Sequence, residues 1–360
     1  MKSLVPYLDS LHIFIMAGGR GERFWPMSRR RLPKHLLRLF GGLSLLEVTI
    51  ARIQGVIPSE RIFVLTSLNQ REAVRSQLPS FPSSHIIVEP VGRDTAPAAA
   101  LATAFAHSKA PDAIVALLPA DAMICNVSAF RHQLTDAVSV AAQQPCIVVF
   151  SILPTCPTTG LGYLELGPQL QHLTPNASLV YRVQRFIEKP NREVAQTYLR
   201  QGNFGWNAGI YIWKPECFLQ ECMKSCRQLA DFILHFPAGN CTPYVSEHFP
   251  PLPKNSLDYA IMEQASSILA IRSKFDWDDV GTWTSLTKYL ARDTQENSFQ
   301  GSSALFNSHG NVVIANHRTI ALCGIQNLIV VETPDSVLVC HQDSVQDVKK
   351  VLPLLPESLR

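Results

Sequence analysis

The chain has 360 residues, of which 46% are hydrophobic and 17% charged, a composition typical of a globular protein with a large core. Its formal net charge of +3 is too small to indicate binding to nucleic acid or to an anionic membrane, and neither partner is expected. Nine cysteines without a C-x-x-C pair argue against a disulfide framework or a zinc ribbon and favour a reducing, cytoplasmic environment. The sequence shows neither an apolar run long enough to cross a membrane nor the ordered segments of a signal peptide.

The first half of the chain alternates short apolar runs with helical patterns. Strands are predicted at residues 13–16, 62–66, 86–88, 114–118 and 147–152. Helices are predicted to begin near Ser44, Asn69, Thr95 and Ser128. Glu47 follows Ser44 at the spacing of a capping box. This alternation predicts a mainly parallel sheet with helices on both faces.

The pattern changes after residue 152. A strand pair is predicted at 160–167 and 180–187, then a helix at 193–200, a strand at 206–213, and helices near Pro215 and Ser256. Beyond Asn297, short β-runs at 312–315, 320–322, 328–331 and 337–340 precede a helix that begins at Asp343. We therefore predict a first domain over residues 1–290 and a smaller β-roll or β-solenoid over 291–360. No low-complexity linker separates them, so we expect the two domains to pack together.

The segment after the first predicted strand is the most informative part of the chain. Gly18, Gly19 and Gly21 let the backbone approach a ligand and direct N–H groups at it, which suits phosphate oxygens. Six cations lie in or just beyond this loop: Arg20, Arg23, Arg29, Arg30, Arg31 and Lys34. The loop lacks the third glycine of a dinucleotide fingerprint and the Gly-Lys-Ser/Thr of an ATPase phosphate loop. It therefore predicts a polyphosphate site of another kind.

Two groups of carboxylates are candidates for chemistry. Asp121 comes just after a predicted buried strand, at the edge of the sheet where ligands bind in such folds. Asp276, Asp278 and Asp279 lie within four positions, which charge repulsion disfavours unless solvent or a cation relieves it. Spacing alone does not choose among these three.

In combination, these segments resemble the sugar-1-phosphate nucleotidylyltransferases, and within them the mannose-1-phosphate guanylyltransferase branch. The loop is similar to the family pattern G-G-x-G-x-R-[LF]-W-P-[LM]-S-R followed by P-K, and residues 277–283 are similar to W-x-D-V-G-[ST]-W. Further matches are E-P-x-G-R-N-T-A-P at 89–97, L-P-A-D-H at 118–122, T-G-[YF]-G-Y at 159–163, F-[IV]-E-K-P at 186–190, W-N-[AS]-G at 206–209 and S-[IV]-D-Y-[AG]-[VI]-M-E at 256–263.

The resemblance covers about residues 11 to 350 and implies an α/β fold. The first domain would be a Rossmann-like nucleotidyltransferase domain with a mixed, mainly parallel sheet, its first half binding the nucleotide and its second half the sugar phosphate. The second would be a small β-helix-like domain. Because that domain carries none of the matched motifs, we expect it to stabilise the protein or to form oligomers, and a homodimer is left open.

The same resemblance implies roles for individual residues. Arg23 and Lys34 would be catalytic. The nucleotide would be bound by Ala17, Gly18, Gly19, Arg20, Gly21, Glu89, Gly92, Arg93, Thr95 and Pro97. The sugar phosphate would be bound by Gly162, Glu188, Lys189, Asn207 and Gly209. Asp121 and Asp279 would hold Mg²⁺, with other divalent cations as alternatives.

The implied reaction joins GTP and α-D-mannose 1-phosphate into GDP-mannose and diphosphate, by Mg²⁺-dependent in-line attack of the sugar phosphate on the α-phosphate. Alternatives are another hexose 1-phosphate or nucleotide, or a non-catalytic paralogue that binds sugar nucleotides and regulates a partner. The chain departs from the family pattern at His35 (commonly Gln), Asp94 (Asn) and Ala122 (His), which leaves base choice less defined than the reaction. Because longer relatives continue into a cupin-like isomerase domain, we expect transferase activity only.

Overall fold

The structure is a computed structural model that describes residues 7–360, so residues 1–6 of the first predicted domain lie outside the described residues. The first part of the chain forms one nine-stranded sheet. Its strands are β1 (Leu11–Ala17), β2 (Ile62–Ser67), β3 (Ile86–Glu89), β4 (Ile114–Pro119), β5 (Ile147–Ile152), β6 (Tyr163–Leu170), β7 (Val180–Ile187), β8 (Phe204–Trp213) and β9 (Ile268–Arg272).

The strand order is β3-β2-β1-β4-β8-β5-β9-β7-β6, with a further pairing of β8 to β6. Of the nine strands, β7 and β8 run opposite to the other seven, which confirms the predicted mixed, mainly parallel sheet. The central strands β1 and β4 are parallel neighbours, with Met16 opposite Pro119. The glycine loop and Asp121 therefore leave the same edge of the sheet side by side.

Helices cover both faces of this sheet. They are α1 (Leu45–Ile53), α2 (Arg71–Gln77), α3 (Thr95–Lys109), α4 (Val127–Gln143), α5 (Arg192–Gln201), α6 (Pro215–Ser225), α7 (Arg227–Leu234) and α8 (Thr242–His248). The alternation of side chains along β1 places Ile13 and Ile15 in the core with α1 and α4, and Phe14 in the core with α3 and α7. The predicted capping box is present, since Ser44 and Glu47 exchange hydrogen bonds.

The C-terminal part is a β-helix-like domain. Its strands are β10 (Ala291–Arg292), β11 (Ser298–Gln300), β12 (Ser303–Phe306), β13 (Val312–Ala315), β14 (Ile320–Cys323), β15 (Leu328–Glu332) and β16 (Val337–His341), followed by α9 (Val348–Val351). Strands β11, β13 and β15 stack in parallel, and β12 pairs with β14 in the same way. The buried Asn297 and Asn311 link successive rungs through a 2.9 Å side-chain hydrogen bond.

The two parts share one hydrophobic core. Phe24 and Trp25, just after the glycine loop, pack in the same cluster as Trp283, Ile329 and Val348. The rings of Phe24 and Trp283 are 5.0 Å apart, and the Trp283 indole N–H donates to the carbonyl of Trp25 at 3.2 Å. The expected packing of the two domains is thus confirmed, and it lies directly behind the loop. No helix within residues 7–360 is both long and apolar enough to span a membrane.

We expect Ile329→Ala to lower the free energy of unfolding by about 2–5 kcal/mol, because it leaves a cavity in the shared core. Denaturant unfolding followed by tryptophan fluorescence should show this loss in a single transition of the whole chain. As a control, Val339→Ala on β16, where the side chain is 63% exposed, should change stability by no more than about 0.5 kcal/mol. An early, separate transition of the C-terminal domain in the Ile329 variant would contradict a shared core.

Candidate active site

A cavity of about 590 Å³ opens at the carboxyl edge of β1 and β4. It collects residues from most of the sequence motifs, although these are far apart in the chain. The predicted site residues that line it are Arg20, Gly21, Arg23, Lys34, Asp121, Gly162, Glu188, Lys189, Asn207, Gly209 and Asp279. The groups predicted for phosphate, sugar and metal thus face one space.

The last glycine of the loop makes room for Lys34. Gly21 has a φ of +63°, and a Cβ at this position would lie 2.6 Å from the backbone nitrogen of Lys34. Both the backbone conformation and the close contact therefore require glycine. The loop is folded against the segment that carries the lysine.

The Lys34 ammonium joins the two predicted metal ligands. Its Nζ is 2.9 Å from Oδ2 of Asp121 and 2.7 Å from the carbonyl oxygen of Asp279. Burial acts to raise the pKa of Asp121, but the charge and hydrogen bond of Lys34 outweigh it and hold that pKa below its ordinary value. Asp121 is therefore ionised near pH 7, and half of its side chain is exposed.

The three clustered carboxylates differ in their hydrogen-bond partners and in whether they face the cavity. Asp276 accepts hydrogen bonds from the backbone N–H groups of Cys125 and Asn126, at 2.9 and 2.6 Å. Asp278 is paired with Lys288 at 2.6 Å and also accepts from the backbone of Val280. Only Asp279 of the three lines the cavity.

Backbone pairing places Asp279 beside Asp121. Met123 and Asp278 exchange backbone hydrogen bonds of 2.8 and 3.0 Å in an antiparallel bridge. Burial raises the pKa of Asp279; Lys34 opposes this, while the charges of Asp278 and Asp121 add to it. A bound cation would relieve that repulsion.

The donor set at this point fits Mg²⁺. Among residues 7–360 no cluster of three or more His, Cys, Asp or Glu side chains forms a closed metal site. Two carboxylates facing one cavity are instead what Mg²⁺ uses when phosphate oxygens and water supply its other ligands. Asp121 and Asp279 are the residues that could hold it.

On the sugar side, a glycine again permits close approach. A Cβ at Gly162 would lie 2.6 Å from Oε2 of Glu188, so a larger residue here would displace this carboxylate. The Glu188 side chain is 5% exposed and is paired with the ammonium of Lys189. Glu263 fixes this segment by accepting a 3.0 Å hydrogen bond from the backbone N–H of Glu188.

Tyr211 and Asp258 are polar residues of the cavity that were not predicted as site residues. The Tyr211 hydroxyl donates to Oδ1 of Asp258 at 2.6 Å, and Nδ2 of Asn207 lies 2.8 Å from that hydroxyl. Burial, with the nearby charge of Glu188, raises the pKa of Asp258 to about 6. The sequence contained a sign of each. Asp258 lies in a matched motif, and Tyr211 follows Asn207 by four residues on one strand, a spacing that repeats one face.

A second cavity, of about 250 Å³, adjoins the first. The predicted nucleotide-binding residues that line it are Gly18, Gly19, Glu89, Gly92 and Thr95. Asp121 lines both cavities and so marks their junction. Burial, with the charge of Asp94, raises the pKa of Glu89 to about 8.

The three departures from the family pattern lie close to this junction. His35 lines the second cavity and is 3% exposed; burial lowers its pKa to about 4, so its ring is neutral near pH 7. Asp94 also lines it, and its side chain accepts from the backbone of Thr95 at 2.8 Å, capping α3. Ala122 is buried and its carbonyl accepts from Arg52.

Three residues predicted to bind nucleotide lie outside the walls of both cavities. Ala17 is buried at the end of β1, where its carbonyl accepts from Thr66. Pro97 is buried in the first turn of α3, and Arg93 lies between the cavity-lining residues Gly92 and Asp94. None of these three residues lines either cavity, although each is adjacent in sequence to the glycine loop, to cavity-lining residues or to the start of α3.

Comparison with known proteins shows the family of this chain. A family model described as nucleotidyl transferase matches residues 13–296, and one described as a MannoseP isomerase/GMP-like beta-helix domain matches 302–355. Mannose-1-phosphate guanylyltransferases of Klebsiella pneumoniae and Escherichia coli are each 37% identical over 96% of this chain and 74% of their own length. A crystal structure from Thermus thermophilus, described as a mannose-1-phosphate geranyltransferase, superposes with a TM-score of 0.86 at 32% identity. It covers 96% of this chain and 99% of that one.

Fold and site therefore define an enzyme that transfers nucleotidyl groups. The chain belongs to the nucleotidyl transferase family, and its similarity to mannose-1-phosphate guanylyltransferases, expected from the motifs, is confirmed. The β-helix-like second domain is confirmed as well.

We expect Gly21→Ala to destabilise the protein by about 1–3 kcal/mol, because it forces a left-handed backbone on alanine and drives a methyl group into Lys34. Gly19→Ala is the matched control, since its Cβ would meet nothing within 4 Å and its φ is not left-handed. Thermal unfolding of both variants without ligand measures the difference. Equal unfolding temperatures would show that the loop does not depend on this contact.

Proposed function

We propose that this enzyme joins GTP and mannose 1-phosphate into GDP-mannose and diphosphate. The observation that carries the proposal is the pair of cavities that meet at Asp121, whose carboxylate is paired with Lys34. The 250 Å³ cavity is lined by Gly18, Gly19 and the buried carboxyl group of Glu89. The 590 Å³ cavity is lined by side chains that can form hydrogen bonds with hydroxyl groups, such as Glu188 and Asn207. The names of the similar enzymes from Klebsiella pneumoniae and Escherichia coli support the choice of substrates.

The reaction needs no covalent enzyme intermediate. A sugar phosphate oxygen attacks the α-phosphorus and diphosphate leaves, so catalysis consists of aligning two anions and neutralising charge. Lys34, at the junction of the cavities, would stabilise the charge that builds at the α-phosphate. Arg20 and Arg23, on the wall beside the loop, would bind the leaving phosphates.

Asp121 and Asp279 would hold the magnesium ion. When bound there, Mg²⁺ supplies positive charge to phosphate oxygens during the displacement. The lowered pKa of Asp121 keeps this ligand ionised without any contribution from the cation. Lys34 already balances one negative charge at this point, so the ion would offset the charge of the second carboxylate and part of the charge of the substrates.

The side of the 590 Å³ cavity that is lined by Gly162, Glu188 and Asn207 would bind mannose 1-phosphate. Glu188, Asn207 and Asp258 offer acceptors and donors for sugar hydroxyls, and Lys189 offers a cation for the sugar phosphate. Discrimination among hexoses would depend on the orientation of one or two hydroxyl groups. We therefore expect glucose 1-phosphate to be a slower substrate and not an excluded one.

We propose that Glu89 recognises the guanine base. The N1 and N2 atoms of guanine present donors that a carboxylate accepts together, and a base without them would leave this buried acceptor unpaired. Glu89 is 7% exposed and lies next to the loop, 4.0 Å from where a Cβ of Gly18 would be. Burial and the charge of Asp94 raise the pKa of Glu89, and no cation opposes them. The hydrogen-bond donors of a ligand would therefore be the main partners of Glu89.

Magnesium-dependent release of diphosphate from a panel of triphosphates and sugar phosphates tests the function. GTP with mannose 1-phosphate should give the highest kcat/KM, with ATP, UTP and dTTP well behind. A preference for another triphosphate would replace the substrates but keep nucleotidyl transfer. Tight sugar-nucleotide binding without turnover would instead favour a regulatory paralogue.

Asp279→Asn should lower kcat by about 100-fold or more, because it removes a charge that acts mainly in the transition state. The Mg²⁺ concentration for half-maximal turnover should rise in the same variant. Asp231→Asn, in an exposed ion pair with Arg227 on α7, serves as the control and should behave like the wild type. Unchanged magnesium dependence in the Asp279 variant would remove this residue from the metal site.

Glu89→Gln should reduce kcat/KM for GTP by about 10- to 100-fold, because an amide accepts only one of the two guanine donors. ATP and UTP should lose much less. In the wild type, kcat/KM for GTP should rise as the pH passes through about 8, where the raised pKa of Glu89 lets the carboxyl ionise. This rise should be absent from the variant, and an identical rise in both proteins would assign it to another group.

A further inference from the structure

Lys349, on α9 of the C-terminal domain, lines the large cavity together with the glycine loop. It also lines a neighbouring cavity of about 180 Å³, and Arg20 and Glu22 of the loop are shared between the two in the same way. Lys349 therefore lies at the phosphate end of the site, away from the sugar-binding wall. It is more than 300 residues from the loop in sequence.

The position of Lys349 is fixed by its buried neighbours. Val348 is 2% exposed and Val345 is 7% exposed, and both pack in the core that contains Phe24. Helix α9 thereby lies against the turn Glu22–Phe24 that follows the glycine loop. The shared core thus holds the lysine next to the loop.

The other lysines of this cavity are already engaged. Lys34 is paired with Asp121, and Lys189 is paired with Glu188. Within residues 7–360, no ion pair of Lys349 is found, whereas the adjacent Lys350 is paired with Asp347 at 2.7 Å. Glu22 is the carboxylate that lines both of these cavities with Lys349, and its ion pair is with Arg20, at 3.6 Å. The ammonium of Lys349 is available to an anion.

We propose that Lys349 binds the terminal phosphates of the nucleoside triphosphate and the diphosphate that leaves. This inference rests on the nucleotidyl transfer proposed above. Several negative charges collect on the leaving group, and Arg20 and Arg23 are the arginines that the loop segment contributes to the cavity wall. Lys349 supplies positive charge from the other domain, so the β-helix domain completes the polyphosphate site in addition to supporting it.

Binding of inorganic diphosphate to the full chain in the presence of Mg²⁺, measured by calorimetry, tests this role. Lys349→Gln should weaken the Kd for diphosphate by roughly three- to tenfold, and Lys349→Arg should restore it. Lys350→Gln, on the same turn, is the matched control and should leave the Kd unchanged. Binding of mannose 1-phosphate should be the same in all four proteins, and so should their unfolding temperatures.

The proposal is overturned if Lys349→Gln and Lys350→Gln bind diphosphate alike, or if the Lys349 variant loses mannose 1-phosphate binding to the same extent. Because these measurements need no turnover, they are separate from the substrate panel. Loss of diphosphate binding in a protein that makes no GDP-mannose would support Lys349 and reject the proposed reaction. If the protein makes GDP-mannose and Lys349→Gln binds diphosphate as the wild type does, the proposed reaction is supported and the role of Lys349 is rejected.

Discussion

One ammonium group, that of Lys34, joins three distant parts of the chain. It starts from the segment folded against Gly21, reaches the carboxylate of Asp121 at the end of β4, and donates to the backbone of Asp279. Two carboxylates near each other without this charge would repel, and their pKa values would rise together. Much of the remaining site depends on this contact, because the same lysine packs against Gly21 of the loop and lowers the pKa of Asp121.

The parts of this arrangement that are local in sequence were predictable. The strand ends, the capping box at Ser44 and the order of the motifs follow from hydrophobic periodicity and turn chemistry. The choice of Asp279 over Asp276 and Asp278 was available only through the family resemblance. Physically, it depends on the backbone of residues 123–126 and on Lys288, which occupy the other two carboxylates. No pattern within the segment itself contains that information.

The C-terminal domain shows the same limit more clearly. Its strands β13 to β16 were predicted at nearly the observed positions, whereas β10, β11 and β12 were not predicted. Its role was expected to be stabilisation or assembly, because it matched no site motif. In the structure its core contains Phe24 and Trp25, and the Trp25 indole N–H donates to the carbonyl of Leu359 at 2.9 Å. The same contacts therefore stabilise this domain and hold the segment that follows the glycine loop. They include contacts between residues more than 300 positions apart, which a single sequence does not reveal.

The acidic groups of the two cavities differ in pKa because their neighbours differ. Asp121, beside Lys34, has a lowered pKa and stays charged, which suits a metal ligand. Glu89 and Asp258, one in each cavity, have pKa values raised by burial, to about 8 and about 6. A buried carboxyl group whose pKa is raised gains most from ligands that donate hydrogen bonds, such as the N–H groups of a base or the hydroxyls of a sugar. Burial and the neighbouring charges thus give these three carboxyl groups different pKa values, and with them different partners.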